Sequence, residues 1–123
     1  NIDEKEYLNI IKICHIDEII RDNPLGDKFV LEENGVNISG GQRQRIILAR
    51  SLIKGSNIIM IDEGFNQIDI NLERVILKNI FGYYRDKTII VISHREDNCY
   101  LYDRMIRFCN DGVIKNLERV VEK

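Results

Sequence analysis

"NIIMIDEGFNQIDINLERVILKNIFGYYRDKTIIVISH", residues 57–94, passes from one periodicity to another and back, and that alternation decides the fold class. Residues 57–63, NIIMIDE, form a short aliphatic run of the kind that makes a parallel strand buried on both faces, and the run ends in two carboxylates, Asp62 and Glu63. Residues 88–93, TIIVIS, form a second such run, followed by His94. The stretch between them predicts a helix over about 70–81, capped by Asp69 and ended near Gly82. Strand, helix and strand make one right-handed βαβ unit with its polar residues at one edge. Ligands of open α/β sheets bind beyond the carboxyl ends of the strands, so Asp62 and Glu63 are expected to face a site and not the core. Taken singly, each residue also has a plain structural role. Asp69 is a good N-cap, His94 a hydrogen-bonded loop histidine, and the two carboxylates a loop or helix-start pair.

Just upstream stands "NISGGQRQRIILARS", residues 37–51. Ser39 suits the N-cap of a helix from about Gly41 to Lys54, and Gln42, three residues on, completes a capping box. Ile46, Ile47, Ala49, Leu52 and Ile53 are expected to make its buried face, with Arg43, Gln44, Arg45, Arg50 and Lys54 mostly elsewhere. Gly55 closes the helix. Without Cβ atoms at Gly40 and Gly41, an outside group can approach the first backbone N–H groups at the positive end of the helix dipole. That is an anion site, best suited to phosphate. The plain alternative is a tight turn before an ordinary helix.

Further out the signals are weaker. Residues 1–35 read as two short helices and a loop: Asp3 with Glu6 offers a cap, Leu8, Ile11, Ile19 and Ile20 supply apolar faces, and Asn23-Pro24 stops the second helix. From residue 95 the pattern predicts a short helix or turn, a strand at 104–109, an Asn-Asp-Gly turn at 110–112, a returning strand at 113–116 and a terminal helix over 117–123. The formal net charge of −2 gives no basic face for nucleic acid, and Arg43, Arg45 and Arg50 read as a solvated helix face. No apolar stretch approaches the ~18–20 residues that span a bilayer. Cys14, Cys99 and Cys109 have neither the number nor the spacing of a disulfide framework or zinc ribbon, and Cys14 reads as a small buried hydrophobe.

Taken in order, Ile38-Ser39-Gly40-Gly41-Gln42, Ile58 to Glu63, Asn66-Gln67-Ile68-Asp69 and Ser93-His94 resemble the second half of the nucleotide-binding domain of an ATP-binding-cassette (ABC) transporter. Ser39 to Gln42 is similar to the signature motif, Ile58 to Asp62 with Glu63 to Walker B and the catalytic glutamate, Asn66 to Asp69 to the D-loop, and His94 to the switch histidine. Residues 23–35, with Glu33 and Gly35, resemble the segment exporters carry before the signature. Asn66-Gln67-Ile68-Asp69 departs from the usual S-A-L-D, and Gly64-Phe65-Asn66 replaces the commoner A-T-S. No G-x-x-x-x-G-K-[ST] occurs, so the cradle for the β- and γ-phosphates is missing.

The resemblance implies an α/β fold: a partial P-loop NTPase-like parallel sheet with flanking helices, preceded by part of a helical subdomain and followed by a short β-hairpin. Residues 1–123 are expected to be a C-terminal fragment of one ABC ATPase domain, inactive alone, with 1–54 the helical segment carrying the signature and 55–123 the Walker B, D-loop, switch-histidine and C-terminal part. In the intact parent, the resemblance makes Glu63 and His94 catalytic, Asp62 the Mg²⁺ ligand, and Ser39, Gly40, Gly41, Gln42 and Asp69 the contacts for ATP. It implies a head-to-tail pair of nucleotide-binding domains, a transmembrane domain that selects the substrate, and a place at the cytoplasmic face of the cell membrane, with no nucleic-acid partner. It favours a motor for export, such as peptide export. The alternatives are an ABC ATPase of DNA repair or chromosome maintenance and a non-catalytic partner that only lends its signature motif. The strand at 57–61 is expected to show a bare aliphatic edge in this chain alone.

Overall fold

The computed structural model describes residues 3–28, 30, 37–109 and 112, and the backbone of 114–118. Two parallel strands, β1 (Ile58–Asp62) and β2 (Thr88–Ile92), pair in register from Ile58 opposite Thr88 to Asp62 opposite Ile92. Among the described residues of the first unit the α-helices are α1 (Glu4–Ile13), α2 (Ile16–Arg21), α3 (Gly40–Leu52) and α4 (Ile70–Tyr83), the last connecting β1 to β2. Because the strands are parallel, both carboxyl ends lie at one edge, where Asp62 closes β1. The chain divides into two compact units, Asn1–Ser93 and His94–Lys123.

Helix α4 forms where the sequence places it. The Asp69 carboxylate accepts from the backbone N–H groups of Asn71 at 2.9 Å and Leu72 at 3.3 Å, satisfying donors that the helix itself leaves open. Ile76, Leu77 and Ile80 are fully buried. The helix runs through Gly82 to Tyr83, past its expected end. The reason is tertiary: the buried Tyr84 bonds its N–H to Ile80 O at 2.9 Å and its hydroxyl to Leu52 O at 3.5 Å, which holds a last turn that glycine alone would weaken.

The strands are not buried on both faces. Along β1, Ile59 and Ile61 are buried while Ile58 is 60% and Met60 63% exposed, and Ile90 and Ile92 of β2 are exposed as well. The helices described in this unit cover one face of the pair, so burial alternates with the two-residue period of a strand.

Helix α3 starts with the full capping box: Ser39 Oγ accepts from Gln42 N–H at 3.1 Å, and Gln42 Oε1 accepts from Ser39 N–H at 2.9 Å. It ends two residues early, at Leu52, with Gly55 in the left-handed region at φ 70°. Its buried side differs from the expectation. Leu48, Ala49, Leu52 and Arg45 are buried, Ile46 and Ile53 are half-buried, and Ile47 is 55% exposed. Arg45 accounts for the rotation. Its Nη1 donates to His15 O at 2.8 Å and lies 3.6 Å from Glu18 Oε2, so the guanidinium is turned inward to tie α3 to the α1–α2 corner. Arg45 therefore does not belong to a solvated face. A buried cation needs such partners, and its Nε has none among the described residues.

At that corner His15 has φ 54°, which turns the chain between α1 and α2. In α1 the buried residues are Ile10, Ile11 and Ile13, while Leu8 is half exposed and Asp3, at the N-cap position, makes no side-chain cap bond. Cys14 follows α1 and is fully buried. Burial pushes its thiol up to about 12, against an opposing pull from Arg45, so the thiol stays protonated and inert at neutral pH. Helix α2 ends before Pro24, and Asn23 Oδ1 accepts from Leu25 N–H at 2.9 Å in a side-chain turn. Glu33 and Gly35 lie outside the described residues.

In the second unit β3 (Arg104–Phe108) pairs antiparallel with β4 (Ile114–Glu118), Arg104 facing Glu118. A 3-10 turn at Cys99–Leu101 precedes them, and Arg107 Nη2 donates to Glu96 Oε2 at 2.6 Å. β4 runs on to Glu118, so residues 117 and 118 are strand where a terminal helix over 117–123 is expected. The ladder with β3 supplies backbone partners that a helix too short to nucleate lacks. Residues 119–123 lie outside the described residues, as do 110 and 111 of the expected turn. Gly112 has φ 75° and its N–H bonds Cys109 O at 3.0 Å.

Candidate active site

The residue after β1 is held in an uncommon conformation. Glu63 has φ 50°, a left-handed backbone that costs a non-glycine residue about 1–2 kcal/mol. Several contacts impose it. Glu63 N–H donates to Ile92 O at 3.0 Å, extending the β1–β2 ladder by one bond, and Glu63 O accepts from Gln44 Nε2 at 3.3 Å and from Asn66 N–H at 3.5 Å. A Cβ at Gly64 would lie 2.5 Å from Ile61 Cγ2, so only glycine fits there. Phe65 and Ile68 are buried, and Ile68 N–H bonds Phe65 O at 2.9 Å, which pins the loop to the core from below. Backbone strain kept by such surroundings clusters at functional sites. Asp62 is exposed at the end of β1, Glu63 is half-buried beside it, and Asp69 is exposed at the start of α4.

The first turn of α3 packs against this same loop. A Cβ at Gly41 would lie 2.8 Å from the backbone oxygen of Gln67, and one at Gly40 would lie 1.8 Å from Gln67 Oε1. Gly41 thus lets the backbone of this loop come close, while at Gly40 the neighbour is the movable end of the Gln67 side chain, and local sequence did not disclose the contact. Gln44, one turn further along α3, completes the junction. Its Nε2 donates to Glu63 O and Asn66 Oδ1, and its Oε1 accepts from Gln67 N–H at 2.9 Å. Ser39, Gly40, Gly41 and Gln42 are therefore brought beside the 63–69 loop within one unit. His94 is an exposed residue of the second unit. Gln44 and Gln67 were not singled out as site residues from sequence, because an amide bridge between a helix and a distant loop leaves no periodic signal.

A family model for the ABC transporter matches residues 3–66. The chain belongs to the ABC transporter family. It is 36% identical over 115 residues to the ATP-dependent lipid A-core flippase of Pseudoalteromonas translucida strain TAC 125, covering 94% of this chain and 20% of the relative. It is 31% identical over 118 residues to the alpha-hemolysin translocation ATP-binding protein HlyB of Escherichia coli O157:H7, covering 92% of this chain and 17% of that protein. A solved bacterial Atm1-family ABC exporter with ATP bound superimposes with a TM-score of 0.78 at 28% identity, over 86% of this chain and 18% of the exporter. The chain spans about a fifth of the length of these relatives. This ABC transporter segment has the α/β architecture expected of it, and ATPase domains of the family bind ATP.

The donors present fit the metal such nucleotides carry. Among the described residues no three His, Cys, Asp or Glu side chains converge on a common point, so these residues build no all-protein metal cage. Mg²⁺ is commonly held by one or two carboxylates, with phosphates and waters completing its shell, and the exposed carboxylate of Asp62 at the strand end is a donor of the type that role needs. Among the described residues no helix is long and apolar enough to cross a membrane.

Proposed function

We propose that this chain is the signature-bearing half of a nucleotide-binding domain that hydrolyses ATP to drive export across a membrane. In this reading residues 1–54 are the helical segment with the signature, and 55–123 carry the Walker B strand, the D-loop, the switch histidine and the C-terminal part. The observation that supports it is the junction of the α3 N-terminus with the strand-end loop, which sets phosphate-type donors and two carboxylates in one body.

Each residue then has a role set by its chemistry. Ser39, Gly40, Gly41 and Gln42 offer hydroxyl, amide and backbone N–H donors to the phosphates of one ATP. In the capping box Ser39 Oγ only accepts, so its O–H remains a donor. Asp62 would hold Mg²⁺, which when bound neutralises phosphate charge. Glu63 orients the attacking water and accepts its proton, and His94 stabilises the γ-phosphate and that water. Asp69 caps α4 and lies on the loop between the two sets. A head-to-tail pair of such domains lets Ser39 to Gln42 serve one nucleotide while Asp62, Glu63 and His94 serve the other, and closure on ATP is the two-state element that works on the transmembrane domain. In this reading the domain sits at the cytoplasmic face of the membrane.

The test is ATP-driven turnover of the full-length protein in liposomes. Hydrolysis that requires Mg²⁺ and stops on its chelation is expected. Failure of the full-length protein to bind or hydrolyse ATP would remove the reading.

A further inference from the structure

We propose that Gln44 is a positioning residue for Glu63, acting as a clamp that makes the first turns of α3 and the 63–67 loop a single rigid piece. This inference rests on the reading of Glu63 as the group that activates water.

One amide makes all the bonds of the clamp. On the donor side, Gln44 Nε2 reaches Glu63 O at 3.3 Å and Asn66 Oδ1; on the acceptor side, Gln44 Oε1 receives Gln67 N–H at 2.9 Å. Glutamine is the residue for this task because its side chain offers both a carbonyl acceptor and an NH₂ donor, at a length that spans from helix to loop. The backbone it grips is the strained one. Glu63 sits at φ 50°, its N–H already fixed to Ile92 O, and the Gln44 bond restrains the other end of the same residue. With the backbone of Glu63 held at N–H and C=O, the point and direction from which its side chain leaves the loop are set by two separate elements, β2 and α3. The bond to Gln67 N–H keeps the backbone of that residue against Gly41, where a Cβ would lie 2.8 Å from Gln67 O, so a shift of the α3 N-terminus carries the loop with it. Gln44 itself touches neither water nor nucleotide in this scheme.

Two variants of the full-length protein separate the halves of the clamp. Gln44→Leu removes donor and acceptor; it is expected to lower kcat about tenfold or more, because a small misplacement of a catalytic group is costly. KM for ATP is expected to stay within about twofold, the pattern of an interaction felt in the transition state. Hydrogen exchange in the peptide spanning 64–69 is expected to quicken, with the melting temperature close to wild type. Gln44→Glu keeps an acceptor for Gln67 N–H and loses the donor to Glu63 O. It is expected to preserve the exchange protection and still lose kcat, and it carries the test alone if Gln44→Leu does not fold. Wild-type kcat in both variants, or a fall in kcat matched by a general loss of stability and a rise in KM, overturns the proposal. Glu63→Gln run beside them distinguishes the two claims. If that variant keeps wild-type turnover the reading of Glu63 fails, and the exchange of residues 64–69 still decides whether the clamp exists.

Discussion

Glu63→Gln in the full-length protein is expected to lower ATP turnover by about 10²- to 10⁴-fold while Mg²⁺-ATP binding persists. The substitution is nearly isosteric and leaves every backbone bond around the residue in place: N–H to Ile92 O, and C=O to Gln44 and Asn66. What changes is the carboxylate, which loses its ability to take a proton from water. The neighbouring Asp62 is exposed one residue earlier, at the end of β1, and cannot substitute without abandoning its own strand register opposite Ile92. Steady-state turnover together with equilibrium nucleotide binding checks this, since a fall in kcat without a fall in affinity is the pattern of a group used in the chemical step. Wild-type turnover by Glu63→Gln would remove Glu63 from the mechanism.

Gly41→Ala is expected to cost about 10²-fold in kcat, as misplaced catalytic geometry does. Helix propensity alone argues the other way, because alanine is favoured over glycine inside a helix by about 1 kcal/mol. Sterics decide the sign. The new Cβ would lie 2.8 Å from the backbone oxygen of Gln67 and 4.0 Å from Ile68 Cα, and neither is the end of a flexible side chain. Ile68 and Phe65 are buried beneath the loop, so the loop cannot retreat and the first turn of α3 must move instead. Such overpacking costs about 1–3 kcal/mol, more than the propensity gain returns. Gly82→Ala is the control: nothing lies within 4 Å of a Cβ there, and stability is expected to rise by up to about 1 kcal/mol. Turnover and denaturant midpoints of both variants test the pair. Gly41→Ala with wild-type activity would show that the close approach has no functional weight.

Local chemistry was legible in the sequence wherever it acts over a few residues. The capping box of Ser39 and Gln42, the cap at Asp69, the turn at Asn23-Pro24 and the two parallel strands each follow from neighbouring residues, and all are present. Features decided by distant partners were not legible. Arg45 is polar and falls outside any hydrophobic stripe, yet its bond to His15 O turns it inward and leaves Ile47 exposed. The left-handed backbone of Glu63 has no signal in the residue itself, since glycine, asparagine or aspartate would be the usual choice. It is imposed by Gln44, Ile92 and the tight fit at Gly64. Strands expected to be covered on both faces are covered on one, because an aliphatic run does not say which elements lie against it. In the site, the motif residues could be read in order along the chain. The amide bridge that joins them could not, because it links positions 44 and 67 through space.

In the proposed function this chain supplies the signature and strand-end carboxylates of an ATPase, and residues outside these 123 supply the phosphate cradle. The most direct test is the Mg²⁺-dependent ATPase rate of the 123-residue chain alone, beside that of the same chain extended upstream to include a Walker A loop. Silence from the first and turnover from the second is the predicted result. Turnover by the 123 residues alone would contradict it, because the γ-phosphate would then be held by residues of this chain that have no part in the mechanism described.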